Sequence, residues 1–106
     1  MKVAPRNWLV LVTAPNKKTA SRLTAVLLKE NLAACVSAFS VSSHYRWEGK
    51  IHQAKEEQLF VKTSAPIEKL KRRIAELHPY EVPEILAFEV EKGLAKYLAW
   101  VRRESG

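Results

Sequence analysis

The stretch CVSAFSVSSHYRW, Cys35 to Trp47, restricts the fold more than any other part of this chain. Cys35, Phe39, Val41, Tyr45 and Trp47 share one parity, and Ser40, Ser42, His44 and Arg46 share the other. A period of two is the pattern of a β-strand with one apolar face. At about 3.3 Å per residue such a strand is roughly 40 Å long. A domain of this length has a radius of gyration of about 13 Å, hence a diameter of roughly 33 Å for a uniform sphere. The strand is therefore expected to overshoot its own core. Glu48-Gly49 suits a tight hairpin turn. The return strand then runs from Lys50 to Thr63, with HQAKEEQ as its least strand-like part. A bare arm with Tyr45 and Trp47 near its tip would invite aggregation, so pairing with further copies of the chain is expected.

The other elements follow from period and punctuation. Asn7 to Thr13 is a short apolar run closed by Pro15 and reads as a buried strand. Asn16 can cap a helix whose stripe is Ala20, Leu23, Leu27 and Ala34, and Asn31 can end it in a left-handed turn. Pro66 and Glu68 suit the first turn of a second helix, with Ile67, Leu70, Ile74 and Leu77 at helical spacing. Pro79 stops that helix, because the residue before a proline is pushed out of the α region. Ile85 to Val90 reads as a strand broken by Gly93, and Leu94, Tyr97, Leu98 and Val101 mark a last helix. The order predicts an α+β fold: a ferredoxin-like split β-α-β sandwich with a long central hairpin and a C-terminal helix. Residues 1–106 form one domain. That fold hosts many unrelated functions and selects none.

Composition narrows the partners. The chain is 47% hydrophobic and 27% charged, which reads as globular. The start, MKVAPRNWLVLVTAP, imitates a secretory signal with Lys2 and Arg6, but its apolar run is short and no A-x-A site follows. No run is long enough for a membrane span. The single cysteine, Cys35, excludes an internal disulfide and suits a reducing cytoplasm. In LAACV it reads as a small buried hydrophobe. The net charge of +7 admits anionic partners. The cluster EKLKRRIAE, however, reads first as a solvated helix face.

Read together, LVTAPN, ENLAACV, HYRWEGKI, LFVKT, LHPYEVPEI and KYLAWV resemble the CutA family of divalent-cation tolerance proteins, from about Leu9 to Val101. The resemblance implies a ferredoxin-like protomer in a tight homotrimer, with long hairpins wrapping neighbouring subunits. It also implies a cytoplasmic location and a link to copper and other divalent metals. The trimer is similar in architecture to nitrogen-regulatory PII proteins. Two departures stand out. Some bacterial members thought to bind copper carry a cysteine on the first strand and paired histidines at the second helix end; here Val12 and Leu77 occupy those positions and His78 stands alone. Many members also have a Pro-Gly kink midway along the long strand, and SAFSVSSHY has neither residue.

These readings give a set of candidate residues. His78 is the one metal ligand expected, beside the plainer reading of a helix-terminal histidine bonded to its neighbours. A single imidazole cannot hold a divalent metal tightly, so no cofactor is required and copper or another divalent cation binds weakly at most. Tyr45, Trp47, Lys62, His78, Tyr80, Glu81 and Glu84 are expected to line a cleft between subunits. Tyr45 and Trp47 suit interface packing. Lys62 could pair with one of the glutamates across the trimer or hold an anionic ligand. Glu81 and Glu84 flank Pro83, yet no evident nucleophile accompanies them, so carboxylates accepting interface hydrogen bonds are the better account than acid–base catalysis. His44 and His52 near the hairpin tip could form a weak surface metal site; exposed polar positions are the plainer reading.

The leading function is a non-enzymatic trimeric binding and regulatory protein of divalent-metal homeostasis. An alternative is a PII-like sensor of a small anionic metabolite in the subunit cleft. An RNA-binding module is disfavoured, because EEQLFVKT has one aromatic and two acids where such modules carry stacking aromatics. No nucleic acid and no membrane are expected as partners. An acyl-phosphate hydrolase would need an anion nest and an arginine after the first strand, which TAPNKKT lacks.

Overall fold

The computed structural model describes residues 6–106; the signal-like Lys2 lies outside them. The elements are β1 (Trp8–Ala14), α1 (Lys17–Lys29), β2 (Cys35–Trp47), β3 (Lys50–Thr63), α2 (Ile67–Leu77), β4 (Ile85–Glu89) and α3 (Ala95–Glu104). The four strands form one antiparallel sheet in the order β2-β3-β1-β4, the split β-α-β arrangement expected from the element order. Among the described residues no helix is long and apolar enough to cross a membrane.

Punctuation works as its chemistry predicts. The Asn16 side chain accepts the Thr19 amide at 2.8 Å and caps α1. Asn31 takes the left-handed conformation at φ 58° after that helix. His78 is extended at ψ 135°, as a residue before proline must be, and α2 ends there. Glu48 and Gly49 both have positive φ, 51° and 76°, the pattern of a two-residue hairpin turn of the primed type. Boundaries shift by a residue or two: β1 starts at Trp8, β4 ends at Glu89, and Pro66 caps α2 from just outside its first turn.

The core lies between the sheet and the layer of α1 and α2. Val10, Val12, Leu59 and Val61 meet Leu23, Leu27, Leu70 and Ile74, all at 1% exposure or less. Arg73 ties the two helices at the surface, binding Glu30 of α1 at 2.8 Å and Glu76 of its own helix at 3.1 Å. The Glu30 carboxyl is held below its usual range, first by that hydrogen bond to Arg73. α3 closes the lower end of the sheet. Asn7 donates to the Leu98 carbonyl at 3.1 Å and accepts from Arg102 at 3.0 Å, and Val101 is buried.

The long hairpin behaves as its length demands. β2 and β3 stay in continuous register from Cys35↔Lys62 to Trp47↔Lys50, with no bulge. β1 stops at Ala14↔Glu57, so the rest of the hairpin extends beyond the core. The molecule measures 48 × 25 × 24 Å. Register partners share a face of a sheet. Val36, paired with Val61, packs on the core. The apolar parity of β2 lies on the opposite face, which α1 and α2 do not cover. There Phe39 and Phe60 meet edge-on at 5.2 Å, and Phe39, Tyr45, Trp47, Leu86 and Phe88 are all exposed.

Candidate functional site

The loop after α2 carries the site. His78 is nearly buried, with 8% exposure. Its Nε2 lies 2.7 Å from the Thr13 carbonyl oxygen, and its Nδ1 accepts the Tyr80 amide at 3.1 Å. A carbonyl only accepts and an amide N–H only donates, so the Nε2-protonated neutral tautomer satisfies both contacts. This fixes the start of the loop against the end of β1. Tyr80 then reaches the open face of the sheet and donates its hydroxyl to Glu56 Oε2 at 2.6 Å. Burial pushes the Tyr80 hydroxyl well above the usual phenol range, and the bond to Glu56, the Glu56 charge and Tyr45 add to the shift. Gln58, on the same face, donates to Glu84 at 3.1 Å and to the Val12 carbonyl at 3.2 Å. The loop is thereby fastened to the sheet at Thr13, Glu56 and Gln58.

Of the residues expected in one cleft, the fold gathers His78, Tyr80 and Glu84 at the upper end of the open face. Tyr45 stacks on His52 at 5.5 Å on that face, and Trp47 follows it two positions nearer the tip. Glu81 is exposed on the loop. Lys62 is elsewhere: it lies six positions along β3 from Glu56, about 20 Å at strand rise. Its ammonium donates to Ser37 at 2.7 Å and lies 3.8 Å from the Cys35 thiol. Cys35 is half-buried rather than enclosed, and it faces Lys62 and Tyr97; burial first, then Cys35, raises the Tyr97 hydroxyl. Within one chain, then, the Tyr80 and Glu56 groups are separated from Lys62.

His44 pairs with Gln53 and His52 with Tyr45, so the two histidines point to opposite faces and form no joint metal site. Among the described residues no three histidine, cysteine, aspartate or glutamate side chains are placed to hold a metal ion. Val12 and Leu77 serve the core instead, Val12 at 1% exposure and Leu77 packed against the cluster. His78 has both ring nitrogens engaged with backbone, so a metal there must displace one of those bonds.

Sequence reading missed Glu56, Gln58 and Glu57. Glu56 and Glu57 are 9% and 8% exposed, the latter accepting the Ser40 hydroxyl at 2.7 Å. Their signal was the polar middle of β3: consecutive charged residues in a strand place a carboxylate on each face, which an ordinary half-buried strand avoids.

The chain matches the family model described as CutA1 divalent ion tolerance protein over residues 8–104. It is 41% identical over 100 residues to the divalent-cation tolerance protein CutA of Thermus thermophilus, covering 92% of this chain and 97% of that one. The chloroplastic protein CutA 1 of Oryza sativa is 37% identical over 99 residues, 92% of this chain but 56% of the rice protein, so this chain spans about half its length. The crystal structure of rice CutA1 superposes with a TM-score of 0.90 at 35% identity, covering 95% and 94% of the two chains. A structure from Archaeoglobus fulgidus described as a periplasmic divalent cation tolerance protein CutA gives a TM-score of 0.88 at 34% identity, covering 92% and 97%.

Proposed function

The chain belongs to the CutA1 divalent ion tolerance family, and on that premise we propose that it is a homotrimeric binding and regulatory protein of divalent-metal homeostasis, copper foremost, without catalytic chemistry of its own. The family match over nearly the whole chain carries this reading. The trimer is supported by an edge strand, β2, of 13 residues that has no partner on its outer side among the described residues, beside an exposed aromatic face. Bare edges and bare apolar faces of this size are removed by association. The absence of catalysis is supported by how the polar groups are used: His78 is bonded on both nitrogens, and the Tyr80 proton is held on its oxygen. Copper binding by His78 is weak at most, because it competes with two backbone hydrogen bonds. We place the protein in the cytoplasm on its lone, unpaired cysteine; the chloroplastic rice relative and the archaeal one described as periplasmic make cell fractionation the check on that location.

Growth on graded copper, zinc and cobalt tests the function. A strain lacking the chain is expected to stop growing at metal concentrations its parent tolerates and to recover when the chain is restored. Equal growth of both strains across all three metals would overturn the reading.

A further inference from the structure

Two opposite charges on the open face of the sheet have no ion-pair partner among the described residues. Glu56 is more than nine-tenths buried, yet among the described residues its one hydrogen-bond donor is the neutral Tyr80 hydroxyl. Lys62 is half-buried, and its contacts are the neutral Ser37 hydroxyl and the Cys35 thiol. None of the ion pairs among the described residues includes either one. Both lie on β3 and face the same way, six positions apart. Six steps of strand put them about 20 Å apart, beyond the reach of a lysine side chain. A nearly buried carboxylate without a cation is costly, since buried charges are normally paired.

We propose that Lys62 of one copy completes the Glu56–Tyr80 site of the next, so that the site is whole only in the assembly. The inference rests on the trimeric reading above. In a closed ring the contact is heterologous: one patch meets a different patch on the neighbour, and the pair repeats at every boundary. A cation and an anion separated along one face fit that geometry. Pairing compensates both charges at once and places the Lys62 ammonium beside Glu56 and Tyr80. Lys50 is the rival cation. It lies on the same face, six positions from Glu56 in the other direction, but it is exposed and adjoins the hairpin turn. Lys62 is already positioned by Ser37 and sits on the paired body of the sheet.

Charge reversal tests the pair. Lys62→Glu and Glu56→Lys are each expected to raise the concentration at which the assembly dissociates by at least about tenfold in sedimentation at low salt. The double variant Lys62→Glu/Glu56→Lys should recover most of that loss. If reversal at Glu56 prevents folding, Lys62→Gln and Glu56→Gln serve: the neutral double should then be no weaker than either single change. A double variant no tighter than the weaker single one would overturn the pair, as would recovery by Lys50→Glu/Glu56→Lys in its place. A monomeric wild type would remove the trimer and the pair together; a trimeric wild type without recovery would remove the pair alone.

Discussion

Tyr80 donates its hydroxyl to Glu56 at 2.6 Å, and this bond holds the loop after α2 on the sheet face that α1 and α2 leave uncovered. It joins residues 24 positions apart and satisfies part of a nearly buried carboxylate. Tyr80→Phe should therefore destabilise the chain by about 1–3 kcal/mol, since it strips a buried acceptor of its donor. Urea unfolding of the two proteins at pH 7 measures this. An unchanged midpoint would mean that Glu56 finds another donor.

The same tyrosine sets an alkaline limit. Its proton is held more tightly in the folded chain than in the unfolded one. The resulting stability is fully present below the ordinary phenol pKa of about 10 and is lost as pH rises above it. Unfolding midpoints from pH 8 to 11.5 should fall more steeply for wild type than for Tyr80→Phe. Parallel curves would remove the linkage.

Trp47 is 44% exposed in the single chain, so any large contribution from it must come from assembly. Trp47→Ala is expected to cost about 3–5 kcal/mol per site if the ring is enclosed by a neighbour. The melting temperature should then fall, and by more at low protein concentration. Identical melting at every concentration would place Trp47 outside the interface core.

His78→Ala should act mainly on stability, by about 1–3 kcal/mol, because it orphans the Thr13 carbonyl and the Tyr80 amide. Copper titrated calorimetrically into wild type should bind no tighter than micromolar, with a further loss in His78→Ala and no change in Cys35→Ser. Nanomolar binding that vanishes only with Cys35→Ser would put the metal at the other end of the sheet.

The hairpin turn offers a clean backbone test. A Cβ added at Gly49 would meet no atom within 4 Å, so Gly49→Ala probes only the positive φ of 76°. A loss of about 1–2 kcal/mol is expected. Glu48→Asn should move the other way by a few tenths, roughly the difference in left-handed preference. A neutral Gly49→Ala would mean that the turn changes type without cost.

The fold was legible because its signals are local. Asn16, Asn31, Pro79 and Glu48-Gly49 act through their own backbone conformations, and the alternation from Cys35 to Trp47 made an overlong arm a matter of rise per residue. The candidate site was legible only in part. His78, Tyr80 and Glu84 share one loop, so their proximity could be read from spacing. Glu56 and Gln58 could not, because the segment that binds them lies 24 and 26 positions away in sequence.

What the sequence determined by itself is therefore the order of elements, their ends and the length of the hairpin, each set by interactions among near neighbours. What only the tertiary structure decided is the direction in which those elements face. An alternating strand has two faces, and the pattern alone does not say which one meets the helices. The register of β3 against β1 and β2 put Val36 on the core, left Phe39, Tyr45 and Trp47 bare, and turned His44 and His52 away from each other. It also parted Lys62 from Glu56 by the length of six strand residues. Register is a long-range choice, fixed by which side chains bury against α1 and α2, and a shift of one residue would have reversed every one of these assignments.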